Sequence, residues 1–237
     1  MSSTSYEFQV ESFLSNKELN NQSVSLVIPR ITRDRIHNML YYKVNLTASS
    51  LRGDTILELS KIMIRDLGTL KGHSINIVHM LGGVEFKCLL MKLIEIRPTI
   101  DQLFAIFQLA KYQNNNTKYD SFDDKYIIAL LLVYIRVQYF FLRIDDPRAI
   151  KFHKLFKNFI NDFRKLKCMD FEADCWSQSQ NITVSIKHMD ELVDYLVTEN
   201  QIWGIPLGSC RWCNIFVEES DTDSSLDSSS SSESDFD

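Results

Sequence analysis

The chain has little of what turn-rich folds need: seven Gly and four Pro occur among its 237 residues. β-Sandwiches and β-barrels reverse direction often and use these residues at their turns, so the composition disfavours both classes. Hydrophobic residues still make up 45% of the chain and aromatic residues 11%, which is enough to build a core at this length. The sequence therefore predicts one folded domain that is mainly α-helical.

Motifs that would indicate an enzyme are also missing from the sequence. HExxH, GxSxG, the Walker A loop and GxGxxG do not occur, and the Gly68–Gly72 spacing is too short for a phosphate loop. The histidines show no paired spacing that would suit a metal site or a catalytic base. We therefore predict that the protein is not an enzyme. The five histidines are His37, His73, His79, His153 and His188.

Cysteine is scarce, and its five positions suggest no disulfide framework. Cys210 and Cys213 have a metal-like spacing, to which Cys168 and Cys175 could add two thiolates. The intervals are irregular, and no helix is predicted at Cys210 as a redox site would require. Thiols without a metal or another cofactor are the favoured interpretation, and a zinc site is the alternative. The N-terminus lacks a basic region followed by an apolar one, so we expect no secretory signal and a reducing, intracellular setting.

Basic residues are absent from the last part of the chain, where eight acidic residues lie from Glu218 onward. The formal net charge of -5 therefore hides a mildly basic body, because residues 1–217 hold 26 basic and 23 acidic side chains. We predict a flexible N-terminus over residues 1–17, a single domain over 18–217 and a disordered tail over 218–237. Serines followed by an acid at +3 are possible phosphorylation sites, against the alternative of an unmodified tail. These are Ser220, Ser224, Ser230, Ser232 and Ser234.

The longest apolar stretch runs from Lys125 to Arg143 and contains nine consecutive apolar residues, Ile127–Ile135. Strands rarely continue over such a length without a turn residue, so the stretch predicts a helix. Its surface is apolar nearly all the way round, which is typical of a helix enclosed by others. It falls short of a membrane span of roughly 20 apolar residues and includes Arg136 and Gln138. We therefore predict the central helix of a soluble domain.

Further helices are predicted around it from apolar periodicity and from capping residues. Thr99 and Gln102 form a capping box, and Asp146 and Pro147 open a helix whose apolar stripe extends to Phe163. Loss of periodicity between residues 166 and 187 predicts a small β-hairpin. The other predicted helices are 31–40 with Pro29 at its start, a segment within Thr55–Leu67, 85–97 and 188–198. A polar loop is expected at 114–121.

Arg136 is the most informative residue of the central helix, where Tyr139 and Arg143 follow it at helical spacing. The favoured interpretation is a packed aliphatic stem with the guanidinium reaching solvent. The alternative is a buried pair with a carboxylate or a seat for an acidic residue of a partner. The candidate carboxylates are Glu95, Asp190 and Asp194.

A second set of candidates is a run of cations that could follow RNA phosphates. Such a run is more often the solvated face of an amphipathic helix, and the aromatic residues that could stack on bases lie on the apolar side. A solvated face is therefore favoured, with contact to RNA or to an acidic partner as the alternative. The cations are Arg148, Lys151, Lys154, Lys157, Arg164, Lys165 and Lys167.

Five segments, in order, resemble the pre-mRNA-splicing factor 38 family in its fungal form. They extend over roughly residues 24–210, and the short Ser/acidic tail differs from the long Arg/Ser-rich C-termini of some relatives, whose role is not transferred. The segments are IPRITRDRIHNMLYYK (28–43), GGVEFKCLLMKLIEIRP (82–98), KYIIALLLVYIRVQY (125–139), NDFRKLK (161–167) and HMDELVDYLVTENQIWGIPL (188–207).

The resemblance implies a nuclear, non-enzymatic scaffold of the tri-snRNP that is required for spliceosome activation before the first cleavage step. It also implies splicing proteins as partners, among them a long helical protein and a zinc-finger protein. From residue type we select Arg136, Tyr139, Arg143, Trp203 and Trp212 as candidate partner contacts. Core packing competes for Tyr139 and Trp203. The rivals are an RNA-binding module on the basic run and a metal-dependent enzyme on the four late cysteines.

Overall fold

The apolar stretch that begins at Lys125 folds as a helix, and the other elements enclose it. The computed structural model describes residues 28–53, 55–70, 79–112, 122–173 and 183–216. The described ranges contain eight α-helices and six short strands. In chain order they are α1 (Arg30–Asn38), α2 (Leu40–Asn45), α3 (Ile56–Leu67), β1 (Thr69–Leu70), α4 (Val84–Ile96), α5 (Ile100–Tyr112), β2 (Phe122–Asp123), α6 (Lys125–Gln138), α7 (Pro147–Lys157), β3 (Lys165–Met169), β4 (Val184–His188), α8 (Met189–Thr198), β5 (Gln201–Ile202) and β6 (Ile205–Pro206).

Helix α6 is the centre of the core, as predicted. Every residue from Tyr126 to Gln138 is buried, and α3, α4, α5 and α8 pack against the helix. The helix ends at Gln138 rather than near Arg143, because the chain turns at Tyr139, whose carbonyl accepts a hydrogen bond from the Trp212 indole. Among the described residues no helix is both long and apolar enough to cross a bilayer.

Local sequence signals placed most of the other helices. The Thr99–Gln102 capping box forms, since each residue's backbone N–H donates to the other's side chain, and Asp146 caps α7 with Pro147 at its first position. Pro29 lies at the start of α1 as predicted, in the N-cap position, but α1 ends at Asn38 and the separate helix α2 was not predicted. Helix α7 stops at Lys157, so the prediction that its apolar stripe extends to Phe163 is wrong: Phe163 lies beyond the helix and is 67% exposed.

The predicted hairpin between residues 166 and 187 is confirmed as the antiparallel pair β3–β4, with Leu166 opposite Lys187 and Cys168 opposite Ser185. The other two sheets, β1–β2 and β5–β6, are pairs of two-residue antiparallel strands. The predicted loop at 114–121, the N-terminal segment 1–17 and the tail 218–237 lie outside the described residues.

A buried ionic cluster fastens the N-terminal helices to α4. The Glu95 carboxylate accepts from His37 Nε2 at 2.7 Å and from the Tyr42 hydroxyl at 2.6 Å, and lies 3.1 Å from Lys92 Nζ. Burial alone would raise the pKa of Glu95, but the hydrogen bond from His37, the charge of Lys92 and the hydrogen bond from Tyr42 together lower it. The carboxylate is therefore held in its charged form in the fold.

Replacing Glu95 by glutamine is expected to lower the free energy of unfolding by about 2 kcal/mol at pH 7, because charge-assisted hydrogen bonds to a buried carboxylate are lost. A carboxyl whose pKa is lowered by folding stabilises above its ordinary pKa, and this stabilisation is lost as the pH falls through the folded-state value. Urea unfolding should show a difference between wild type and Glu95→Gln that shrinks below about pH 4.5. A difference that persists unchanged at pH 3 would contradict the linkage.

Candidate protein-interaction groove

A concave surface of mixed character lies between α7 and the segment 211–216, and we call it the α7 groove. Its volume is about 740 Å³. Helix α7 buries Ala149, Phe152, Leu155 and Phe156, which leaves a neighbouring stripe at i, i+3, i+4 and i+7 to form one wall. That wall contains Ile150, His153, Lys154 and Lys157, with Ile144 at its start; the facing wall contains Arg211, Asn214, Ile215 and Phe216.

Trp212 fixes the facing wall against the helix. Its indole nitrogen donates to the Tyr139 carbonyl at 2.8 Å, and its ring packs against Phe152 and Phe156 at centroid distances of 5.6 and 5.4 Å. Only 2% of Trp212 is exposed. The residue predicted as a partner contact therefore lies almost entirely beneath the groove and holds its shape.

The groove combines exposed apolar side chains with cations. Ile144, Ile150 and Phe216 are 63%, 46% and 48% exposed, and exposed large apolar residues clustered in a concave surface indicate a binding site. Lys154, Lys157 and Arg211 are also exposed, and among the described residues none of the three forms an ion pair. No carboxylate is among the described residues that line the groove. Such a surface suits an apolar segment that carries acidic residues.

Arg136 is buried, and its guanidinium neither reaches solvent nor pairs with a described carboxylate, so both of these interpretations are wrong. The side chain is 1% exposed. Its Nε donates to the Leu196 carbonyl at 2.7 Å, and its two terminal nitrogens donate to the carbonyls of Leu207 and Gly208. Leu196 lies in the last turn of α8, where helix carbonyls lack an intrahelical partner and a cation is favoured. Neither solvent nor a carboxylate meets the guanidinium; Arg136 joins α6 to the C-terminal segment.

Trp203 and Tyr139 belong to the core, the competing explanation raised for both. Trp203 is fully buried, contacts Phe86 and Phe171, and donates from its indole to the Met169 carbonyl. The half-buried ring of Tyr139 lies 4.9 Å from that of Phe152. Burial leaves little of either side chain for a partner.

The predicted basic run is divided by the fold. Arg148 pairs with Asp146, and Arg164 pairs with both Asp162 and Asp124. Outside the run, the candidate partner contact Arg143 pairs with Asp145, and its side chain is 85% exposed. The lysines remain exposed without an ion pair among the described residues. Three lie on α7 (Lys151, Lys154 and Lys157) and two on β3 (Lys165 and Lys167).

The late cysteines do not gather into one described site. Cys168 is buried in β3, whereas Cys210 and Cys213 lie together in the C-terminal segment. A hydrogen bond between these two thiols, with burial added, raises the pKa of Cys210, and the same bond lowers that of Cys213. Among the residues the structure describes, no group of three His, Cys, Asp or Glu could hold a metal ion. Cys175 and the five candidate phosphorylation serines lie outside the described residues.

Sequence reasoning missed the residues that build the groove, chiefly Ile144, Ile150, Arg211 and Phe216. A signal for one wall was present: Ile150, Lys154 and Lys157 share a helical stripe beside the apolar stripe that was identified. The facing wall has no periodicity, because it is an irregular segment placed by Trp212. Only the tertiary fold could bring it to α7.

Comparisons with known proteins agree with the resemblance seen in the sequence. The model of the PRP38 family matches residues 17–220. Pre-mRNA-splicing factor 38 of Saccharomyces cerevisiae (strain ATCC 204508 / S288c) is 50% identical over 224 residues, which cover 91% of this chain and 90% of that protein. A chain in the crystal structure of the Snu23-Prp38-MFAP1(217-258) complex of Chaetomium thermophilum has a similar fold. Its TM-score is 0.51 at 22% identity, over 79% of this chain and 78% of that one.

Proposed function

The chain belongs to the PRP38 family, and on that basis we propose that it is a non-enzymatic, nuclear protein of the spliceosome that binds other splicing proteins. The yeast relative supports this role, because it is a pre-mRNA-splicing factor and is 50% identical to this chain over most of the length of both proteins. We further propose association with the tri-snRNP and a requirement in spliceosome activation before the first cleavage step. Residues 18–217 would form the interacting domain, in keeping with the span of the family match.

The α7 groove is the observation on which the binding role rests. Its exposed Ile144, Ile150 and Phe216 offer apolar anchoring, and Lys154, Lys157 and Arg211 offer charge without a described carboxylate nearby. Anchors in a desolvated centre supply most of the affinity of an interface, whereas charges at its rim supply register and association rate. The groove would therefore hold a segment of a splicing protein with apolar and acidic residues.

The partner classes follow from the family. A chain of the same fold occurs in a complex with Snu23 and MFAP1, and we propose counterparts of these two proteins as partners of this chain. They would be the zinc-finger and long helical partners that the family resemblance implies. A helical segment that presents anchors at i, i+3, i+4 and i+7 would match the stripe of α7.

Charge reversal in the groove is expected to remove partners while leaving the fold intact. The double variant Lys154→Glu/Lys157→Glu should recover splicing proteins from ribonuclease-treated nuclear extract at least about tenfold less well than wild type, because close charge pairs across an interface couple by about 1.5 kcal/mol or more each. Lys151→Glu is the matched control, since Lys151 is exposed on the same helix but does not line the groove.

The same purification tests the RNA-binding alternative, which the five exposed lysines on α7 and β3 support. If ribonuclease removes all bound proteins, RNA holds the assembly together and the scaffold mechanism is wrong. An RNA-binding face would also show affinity that falls steeply with salt, and Lys165→Glu/Lys167→Glu would weaken it as much as the groove variant does.

A further inference from the structure

We propose that the acidic C-terminal segment of this chain, residues 218–237, binds the α7 groove in cis and competes there with partner segments. The proposal rests on the proposed function for the partners, but the contact between tail and groove stands on its own observations. Phe216, a wall residue of the groove, is the last described residue of the chain. The acidic segment therefore begins two residues from the groove that it would fill.

Charge complementarity selects this occupant. The groove presents Lys154, Lys157 and Arg211 without a carboxylate among its described lining residues. Residues 218–237 contain eight acidic side chains and neither Lys nor Arg. The most acidic segment of the sequence thus follows directly after the last wall residue of the cationic groove. At such short distances salt screens the attraction between them least.

Length and apolar content also fit. An extended chain spans about 3.3–3.6 Å per residue, so Leu226 can reach roughly 35 Å from Phe216, whereas the eleven residues of α7 extend about 16 Å. Leu226 and Phe236 are the apolar residues of the segment. They could pack on the exposed side chains of Ile144 and Ile150, which pairing of charges alone would leave exposed to water.

Tethering makes even a weak contact effective. A short flexible tether gives an effective concentration in the millimolar range, so a tail that binds with a dissociation constant near 1 mM would occupy the groove about half of the time. The apparent affinity for a partner falls in proportion to the fraction of molecules whose groove is free of the tail. Each phosphate on the tail serines would add nearly two negative charges and strengthen the tail contact. Phosphorylation would therefore lower the apparent affinity of the groove for a partner further.

Zero-length cross-linking of the full chain at low micromolar concentration tests the contact. A carbodiimide joins a lysine to a carboxylate only when the two touch, and peptide mass spectrometry locates the bond. We expect cross-links from Lys154 and Lys157 to acidic residues of the tail at several times the yield from Lys151, and their loss in high salt. Equal yields from Lys151, Lys154 and Lys157 would overturn the proposal, since they would show a tail with no preferred site.

A peptide titration gives the second, independent measurement. The probe is a fluorescent peptide of residues 218–237, unmodified or phosphorylated at Ser230, Ser232 and Ser234. It is titrated with the full chain whose eight tail carboxylates are replaced by amides. We expect binding that tightens at least threefold on phosphorylation, survives Lys151→Glu and is lost in Lys154→Glu/Lys157→Glu. Equal affinity of both lysine variants would refute a groove contact.

The two proposals fail differently. If the groove does not hold partners, Lys154→Glu/Lys157→Glu retains normal recovery of splicing proteins while the tail cross-links of the wild type remain. If the tail does not bind the groove, the wild type shows neither the preferred cross-links nor peptide binding, while Lys154→Glu/Lys157→Glu still loses its partners. If both hold, the chain with a neutralised tail should recover about twice as much partner as wild type at limiting concentration.

Discussion

Replacing Arg136 by methionine is expected to lower the free energy of unfolding by about 4 kcal/mol, because three backbone carbonyls, two of them buried, lose their donor at once. Methionine is similar in length and fills the space, so the loss reports polar groups rather than a cavity. The carbonyls belong to Leu196, Leu207 and Gly208, and the Arg136 side chain that bonds them is 1% exposed. Urea unfolding followed by circular dichroism measures the change.

Two matched variants isolate the cause. Arg143→Met removes the same type of side chain from an exposed position with one surface pair, and its effect should stay within about 0.5 kcal/mol. Arg136→Lys should restore only part of the stability, because one ammonium cannot reach carbonyls that the planar guanidinium meets in three directions. If Arg136→Met were as stable as wild type and lost a partner, the residue would be a binding site after all.

Arg136 also shows where sequence reasoning reaches its limit. The helix around it could be predicted, because a long apolar run without turn residues reports its own length and burial. The partners of the guanidinium could not, since they are backbone carbonyls 60 to 72 residues further along the chain. A backbone carbonyl leaves no trace in the sequence, so solvent and carboxylates were the partners that the sequence could suggest.

The candidate site, too, could be predicted from the sequence only in part. Capping residues and periodicity located α7 and its buried face, and residue type selected Trp203 and Trp212 as candidate partner contacts. Residue type cannot distinguish a tryptophan that anchors a partner from one that holds the fold. The structure places Trp203 wholly in the core and Trp212 beneath the α7 groove. The exposed apolar residues beside it, Ile150 and Phe216, carry no signal until the fold brings them together.

Alanine at Gly82 is expected to lower the free energy of unfolding by about 3 kcal/mol, for two additive reasons. Gly82 adopts a φ of +78°, which an L-residue enters only at a cost of about 1 kcal/mol or more. A Cβ there would also lie 2.6 Å from the Trp203 indole, and overpacking a filled core costs roughly 1–3 kcal/mol. The ring cannot easily retreat, because Phe86 and Phe171 enclose it and Trp203 itself has a φ of +49°.

Gly53→Ala is the control for the backbone contribution. Gly53 has a φ of +123°, but among the described residues the nearest atom to a Cβ there would be the Thr55 methyl at 3.9 Å. Its cost should be limited to backbone strain, about 1 kcal/mol. The difference between the two variants then measures the collision with Trp203, and thermal or urea unfolding is sufficient to determine it.

A double-mutant cycle assigns that difference to the ring. Trp203→Leu alone should cost about 3 kcal/mol, because a fully buried indole is replaced by a smaller side chain. In the Trp203→Leu background the vacated space can accept a methyl group, so Gly82→Ala should cost only its backbone strain, and the two effects should fall short of additivity by about 1–2 kcal/mol. Additive costs would show that the indole does not resist the methyl group. Gly82 would then be required only for its positive φ, and not to leave room for the Trp203 indole.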